Sequence, residues 1–223
     1  CTDTFYYSVN EPNPITLLDA IITHPNCIPG TNSANSDGQI TLIAQGGNTN
    51  GTGLYQYYWN DPSISSVQNP SGLAPGVYQV SISDQNCTSE LFSITLNSPT
   101  FVEYNYYIPT PISCYDFCDG SISVFTNNTA NETFSWYNSS DSLVLGNSNV
   151  ASNLCDDTYY FEIENNFQCF INSQSLDIGN LTLTNPEEFS INISQSASVP
   201  NGVCNGIASV TSSSGVAPLS YLW

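Results

Sequence analysis

Along Val77-Tyr78-Gln79-Val80-Ser81-Ile82-Ser83 apolar and polar residues alternate one for one, with Tyr78, Val80 and Ile82 on one parity and Gln79, Ser81 and Ser83 on the other. A period of two is the pattern of a strand with one face buried. The same beat runs through Ser121-Ile122-Ser123-Val124-Phe125 and, less strictly, through Gln39-Ile40-Thr41-Leu42-Ile43-Ala44. Clusters of Gly, Pro and Asn interrupt it at short intervals, as turns between strands require. No segment carries an apolar stripe at helical spacing, so the chain is predicted to be all-β.

The pattern also recurs on a longer scale. Pro12, Pro99 and Pro186 stand 87 residues apart, each after a strand-like segment: Phe5–Val9, Leu91–Leu96 and Ile178–Leu183. Cys1, Cys87 and Cys169 lie shortly before those segments. Cys27, Cys114 and Cys204 lie shortly before Asp37-Gly38, Asp119-Gly120 and Asn205-Gly206. The three tryptophans, Trp59, Trp136 and Trp223, each end an aromatic strand segment, and Leu73-Ala74-Pro75-Gly76-Val77-Tyr78 aligns with Leu154-Cys155-Asp156-Asp157-Thr158-Tyr159. Five landmarks in one order mark an internal repeat, and a repeat of about 87 residues has the size of an immunoglobulin-like β-sandwich. The predicted organisation is the final strand of a preceding repeat (1–12), two complete repeats (13–98 and 99–186) and the opening half of a following one (187–223). The chain thus reads as part of a longer array. Trp59 and Trp136 are the expected core anchors. Tyr78 and Tyr159 stand where a tyrosine corner bonds back to the preceding loop.

Charge narrows the partners. The 223 residues include no Lys, no Arg and one His against 19 Asp and Glu, a formal net charge of −19. Phosphate recognition needs basic side chains, so nucleic acid is excluded as a partner. An anionic membrane surface would repel the chain, and no apolar run is long enough to insert in a bilayer. At 40 % hydrophobic and 12 % aromatic residues, the chain can nonetheless build real cores.

Eight cysteines point to an oxidising compartment, and the chain is expected to be extracellular. Aligning the repeats pairs Cys27 with Cys87 and Cys114 with Cys169. Cys118 and Cys155 occur only in the second complete repeat and pair as an extra bridge; an exchange of Cys114 and Cys118 is the open alternative. Cys1 and Cys204 are left over. Cys114 and Cys118 are spaced like half a zinc site, but the first repeat lacks the second cysteine.

The stretch Asp37-Gly38-Gln39-Ile40-Thr41, Gly46-Gly47, the tyrosine-rich strand ending in Trp59, and Gly72-Leu73-Ala74-Pro75-Gly76-Val77-Tyr78 through Asp84-Gln85-Asn86-Cys87 resembles the SprB repeat of very large cell-surface adhesins in gliding Bacteroidetes. The second repeat departs from it, with Asp156-Asp157 in place of the Pro-Gly turn and Asn165-Asn166-Phe167-Gln168-Cys169 at its end. The resemblance implies type IX secretion, display on the outer cell surface, and a role in adhesion or gliding motility.

Asp141-Ser142-Leu143 resembles a Bacteroidetes O-glycosylation acceptor, with Ser142 as the modified residue. Asn-x-Ser/Thr sequons at Asn50, Asn86, Asn127, Asn131, Asn138, Asn180 and Asn192 follow from composition. Ca2+ suits an acidic extracellular chain, and Asp116, Asp119, Asp156 and Asp157 could converge near a Cys118–Cys155 bridge, though no known calcium-loop spacing is present; no other cofactor is expected. His24 and Cys27 are too simply explained otherwise to make a catalytic dyad, and no catalytic role is expected. The leading expectation is a structural and adhesive segment, its repeats packing on neighbouring repeats and self-associating into filaments. The alternative is a set of carbohydrate-binding modules from a secreted polysaccharide-degrading system, with Tyr104, Tyr106 and Tyr107 stacking on sugar.

Overall fold

A computed structural model describes the chain except residues 1, 10, 49–53, 85, 128–130, 141, 197–205, 213, 215–219, 221 and 223. The fold is nearly all β, arranged in several small antiparallel sheets. Among the described residues no helix is long and apolar enough to cross a membrane. The chain divides into two compact units, Cys1–Phe101 with Asn165–Phe170, and Val102–Glu164 with Ile171–Trp223.

Among the described residues of the first unit, six strands form two three-stranded sheets: β1 (Thr16–Thr23), β2 (Gly38–Gln45) and β4 (Ser71–Leu73) in the order β1-β2-β4, and β3 (Gln56–Trp59), β5 (Gly76–Ser83) and β6 (Phe92–Leu96) in the order β3-β5-β6. Alternation decides what faces inward. Ile40 and Leu42 from β2, Tyr57 and Trp59 from β3, Tyr78, Val80 and Ile82 from β5, and Ile94 and Leu96 from β6 form one core with Ile15, Ile64 and Leu73. Burying each such side chain contributes roughly 1.5–3 kcal/mol.

The second unit repeats that strand order. β7 (Tyr104–Thr110), β8 (Gly120–Thr126) and β11 (Val150–Leu154) form the sheet β11-β8-β7. Beside it run β10 (Leu143–Gly146), β9 (Glu132–Asn138), β12 (Asp157–Asn165) and β13 (Phe170–Asn172), in the order β10-β9-β12-β13, and β14 (Leu181–Leu183) also pairs with β12. Ile122, Val124, Phe134, Trp136, Leu154, Phe161 and Ile163 are its most buried large side chains. A separate hairpin joins β15 (Ile191–Ser196) to β16 (Ile207–Ser212) in unbroken register from Ile191↔Ser212 to Ser196↔Ile207.

Irregularities recur along with the strands. In β1 the register skips Leu18, and in β7 it skips Asn105, 87 residues later. In β4 it skips Gly72, and in β11 Asn153; both have positive φ, 72° and 57°, the left-handed conformation that Gly and Asn tolerate best. Each is a β-bulge with its extra residue in left-handed backbone.

The Asp-Gly step before β2 and β8 has a physical cause. Asp37 Oδ1 accepts the Asn26 N–H and Asp119 Oδ1 the Ser113 N–H, each at 2.9 Å, fixing the loop that enters the strand. A Cβ on Gly38 would stand 2.8 Å from the Leu73 carbonyl oxygen; on Gly120 it would stand 3.1 Å from the Leu154 carbonyl oxygen and 2.8 Å from Leu183 Cδ1. Only glycine lets the short neighbouring strand and the last strand's leucine close in.

One expected strand is absent. Residues 5–9 form no strand, and Phe5, Tyr6 and Tyr7 are 73, 94 and 88 % exposed. Apolar content alone does not make a strand, because an isolated extended segment leaves its backbone groups without a ladder partner.

Candidate functional site

Sulfur carries most of the chain's chemistry. Cys27 bonds Cys169 and Cys118 bonds Cys155. The second pair is as expected, but the first corrects both other expected pairings: Cys27 is not joined to Cys87, nor Cys114 to Cys169. Among the described residues Cys87 and Cys114 are free thiols, both exposed. Cys1 and Cys204 lie outside the described residues.

The loop after β1 shows why. Cys27 is fully buried there, and an antiparallel bridge joins it to Ala34. Its N–H donates to the Phe167 carbonyl at 2.8 Å, and the Phe170 N–H donates to the Thr31 carbonyl at 2.9 Å. These two backbone bonds seat the turn Asn165–Phe170 in the first unit and bring Cys169 to Cys27, with Cα atoms 4.9 Å apart. Cys87 is held elsewhere by its own turn. It lines a groove of about 830 Å³ with Pro12, Pro14, Ile15 and Phe92.

That turn is built on Asp84, only 2 % exposed. With no Lys or Arg available, backbone donors satisfy the carboxylate: Asn48 N–H, Cys87 N–H at 2.7 Å and Asn86 N–H at 3.0 Å. These bonds, led by that from Asn48 and then that from Cys87, hold the Asp84 carboxyl below its ordinary range. Asn165 takes the same place in the turn between β12 and β13, its Oδ1 accepting the Phe167 and Cys169 N–H groups at 2.9 and 3.1 Å, while its Nδ2 donates to the Thr100 carbonyl.

The sign of the pH dependence follows. A carboxyl with a depressed folded pKa adds stability that is complete above its ordinary value of 3.8 and disappears as pH falls through the folded value below it. Asp84→Asn keeps an acceptor for Asn86 and Cys87 but turns an amide donor toward Asn48, so it is expected to be less stable than the native chain at neutral pH. In thermal unfolding from pH 8 to pH 2, the gap between the two midpoints is expected to hold steady to about pH 4 and close below it. A gap that does not narrow at all between pH 4 and pH 2 would mean that the carboxylate charge contributes nothing. Glu132 runs the other way: burial raises its pKa, partly offset by the Thr126 hydroxyl.

The aromatic anchors sit in two matched settings. Trp59 Nε1 donates to the Val67 carbonyl at 2.7 Å, and Trp136 Nε1 to the Ser148 carbonyl at 2.9 Å. Tyr78 donates its hydroxyl to the Ala74 carbonyl at 2.9 Å, and Tyr159 to that of Cys155 at 3.1 Å, each four residues back. All four side chains are buried, Trp136 completely. Tyr78→Phe and Tyr159→Phe are each expected to lower stability by about 1 kcal/mol, read as parallel shifts of the denaturation midpoint at unchanged slope; a shift in only one variant would break the equivalence.

Tyr104, Tyr106 and Tyr107 do not form one row. The bulge at Asn105 interrupts alternation, so Tyr104 stacks on Phe161 at 6.0 Å, whereas Tyr106, half exposed, stacks on Phe125 at 4.7 Å. A different pair, missed in sequence because its members lie on separate strands, is Tyr137 on β9 and Tyr160 on β12. Their rings stack at 4.9 Å and 12°, and a polar groove of about 390 Å³ adjoins Tyr160, lined also by Thr158, Gln174, Asp177 and Asn180.

The remaining candidates have local roles. Ser142 is exposed, and its N–H donates to Asn138 Oδ1; Asp141 lies outside the described residues. Asp119 is engaged with Ser113 through both its N–H and its hydroxyl, and Asp157 Oδ1 accepts the Thr158 N–H. Among the described residues no three His, Cys, Asp or Glu side chains gather as a metal ion would need, the quartet Asp116, Asp119, Asp156 and Asp157 included. His24 Nδ1 accepts the Asn97 N–H at 3.1 Å, while Cys27 is in its disulfide. The two disulfides fit an oxidising compartment outside the cytoplasm. No family model matches the chain, and no curated protein matches it.

Proposed function

We propose that the chain is a structural and adhesive segment of a large secreted bacterial surface protein, built from tandem immunoglobulin-like repeats of about 87 residues. The observation that carries this reading is recurrence in three dimensions. The same strand order, paired bulges, Asp-Gly closures, Trp-to-carbonyl bonds and Tyr-to-carbonyl bonds occur twice in chain order. Repeated β units of this kind serve as scaffolding, and here each builds a hydrophobic core of its own. The residues that resemble the SprB repeat extend the proposal to type IX export, outer-surface display, and adhesion linked to gliding.

Net charge supports a surface role of a particular kind. With −19 and no basic residue, such arrays stay soluble and repel one another at low salt. Attachment therefore relies on neutral or cationic surfaces, or on cations supplied by the medium.

The test is mechanical. Beads coated with the native chain are expected to resist detachment by flow from polysaccharide-coated glass better than beads carrying the reduced and alkylated chain. Equal detachment would refute the adhesive role. A second reading, carbohydrate binding, is favoured by the Tyr137–Tyr160 stack beside its polar groove; a soluble oligosaccharide that binds the native chain and loses affinity for Tyr160→Ala would select it.

A further inference from the structure

We infer that Cys87 and Cys114 are the two halves of an intermolecular disulfide, formed when the Cys114 loop of one chain seats in the groove beside Cys87 of a second copy. The inference rests on the repeat reading for the equivalence of positions. Cys114 stands 87 residues after Cys27, and Cys87 holds the place in its turn that Cys169 holds in the turn after β12. The chain displays what those two positions do when they meet: Cys27 and Cys169 are bonded, flanked by the Cys27-to-Phe167 and Phe170-to-Thr31 backbone bonds. Cys87 and Cys114 are the same two kinds of position, each exposed and each a free thiol.

Two further observations point to an occupant. The loop carrying Cys114 exposes Tyr115 and Phe117, 49 and 59 % accessible. It is held in shape by Ser113 on Asp119, by the Phe117 N–H on the Cys114 carbonyl, and by the Asp116 N–H on Asn185 Oδ1. The Cys87 groove, about 830 Å³, offers Pro12, Pro14, Ile15 and Phe92 as apolar walls. A loop presenting two aromatic side chains around a thiol meets a groove that sets these four apolar walls, between polar residues such as Asn13, Thr16 and Ser89, around a thiol. The two surfaces differ, so the contact is heterologous, and it links chains head to tail into rings or an open series.

Electrostatics oppose the approach. Glu11 and Glu90 line the groove, and Asp116 and Asp119 flank the loop. Their repulsion reaches about 30 Å at 0.01 M salt but about 8 Å at 0.15 M, so linkage is expected to need salt. The chemistry is thiol–disulfide exchange with a small disulfide RS–SR such as oxidised glutathione. One thiolate displaces RS⁻ to give a mixed disulfide, and the second thiolate displaces the other RS⁻. The Cys87–Cys114 bond forms, the RS–SR bond breaks, the two protein thiols are oxidised, and two RSH carry away the electrons and protons.

The experiment uses the whole chain with Cys1 and Cys204 replaced by serine, in a glutathione redox buffer at 0.15 M NaCl. The expected result on non-reducing gels is a series of dimers, trimers and longer species, much diminished at 0.01 M NaCl. Cys87→Ser and Cys114→Ser should each stay monomeric alone and form a dimer when mixed, with a Cys87–Cys114 linked peptide in the digest. If Cys87→Ser self-links as readily as the mixture does, contact is unselective and the inference is overturned. It is also overturned if Cys27–Cys169 is found while all material stays monomeric, a result that leaves the repeat reading intact. Mapping of Cys27–Cys87 and Cys114–Cys169 within one chain would remove its premise. The bead experiment tests the adhesive reading separately.

Discussion

The double variant Cys27→Ser/Cys169→Ser is expected to lose about 5 kcal/mol of stability under non-reducing conditions. The bond joins residues 142 apart in sequence. A closed loop of that length restricts the unfolded chain by about 5 kcal/mol in the chain-entropy account, against about 4 kcal/mol for the 37-residue separation of Cys118 and Cys155. The control is Cys87→Ser. Because Cys87 is exposed and unbonded, its replacement is expected to change stability by no more than about 0.5 kcal/mol. Denaturant titration in the absence of reductant, followed by tryptophan fluorescence, measures both. If Cys87→Ser proved as costly as the double variant, the bond would run from Cys27 to Cys87.

That contrast also shows where the sequence stops being informative. Aligned repeats identify which cysteines are equivalent but not which member of an equivalent set bonds which. Cys87 and Cys169 look alike from Cys27, since one lies about a repeat beyond the other. What separates them is a pair of backbone hydrogen bonds, at Cys27 and at Thr31, and no side-chain pattern announces those.

Elsewhere the residues were more explicit. The alternation in Val77–Ser83 placed Tyr78, Val80 and Ile82 inward, as they are. Tyr159 was legible as a corner through the alignment of Leu154–Tyr159 with Leu73–Tyr78, and both hydroxyls bond four residues back. The surface tyrosines were not legible, because the extra residue Asn105 moves Tyr106 off the face that strict alternation assigns it. The bulge in β4 left a usable trace in the aligned triplets Ser71-Gly72-Leu73 and Ser152-Asn153-Leu154, where Gly and Asn share a tolerance for left-handed backbone. Residues 5–9 have the apolar content of a strand but no ladder partner, and content alone does not supply one.

The second large effect is expected at Trp136. Its side chain is completely buried, meets Phe161 edge-on at 5.5 Å, and donates to the Ser148 carbonyl. Trp136→Ala removes the largest fully buried side chain among the described residues and leaves a void, which costs about 3–5 kcal/mol. Trp136→Phe separates the contributions. It keeps most of the apolar contact and deletes the indole donor, so the Ser148 carbonyl loses a partner at a cost of about 1–3 kcal/mol. Trp59, in the matching place but 7 % exposed, is expected to lose somewhat less when changed to alanine, because part of its surface already meets solvent. Amide hydrogen exchange along β8, β9 and β12 in Trp136→Ala, with denaturant midpoints for all three variants, provides the measurement. A loss below about 1 kcal/mol in Trp136→Ala would mean that Phe134, Phe161 and Ile163 can close the core by themselves. The indole would then be dispensable, and the twofold recurrence of a tryptophan at this place would need another cause.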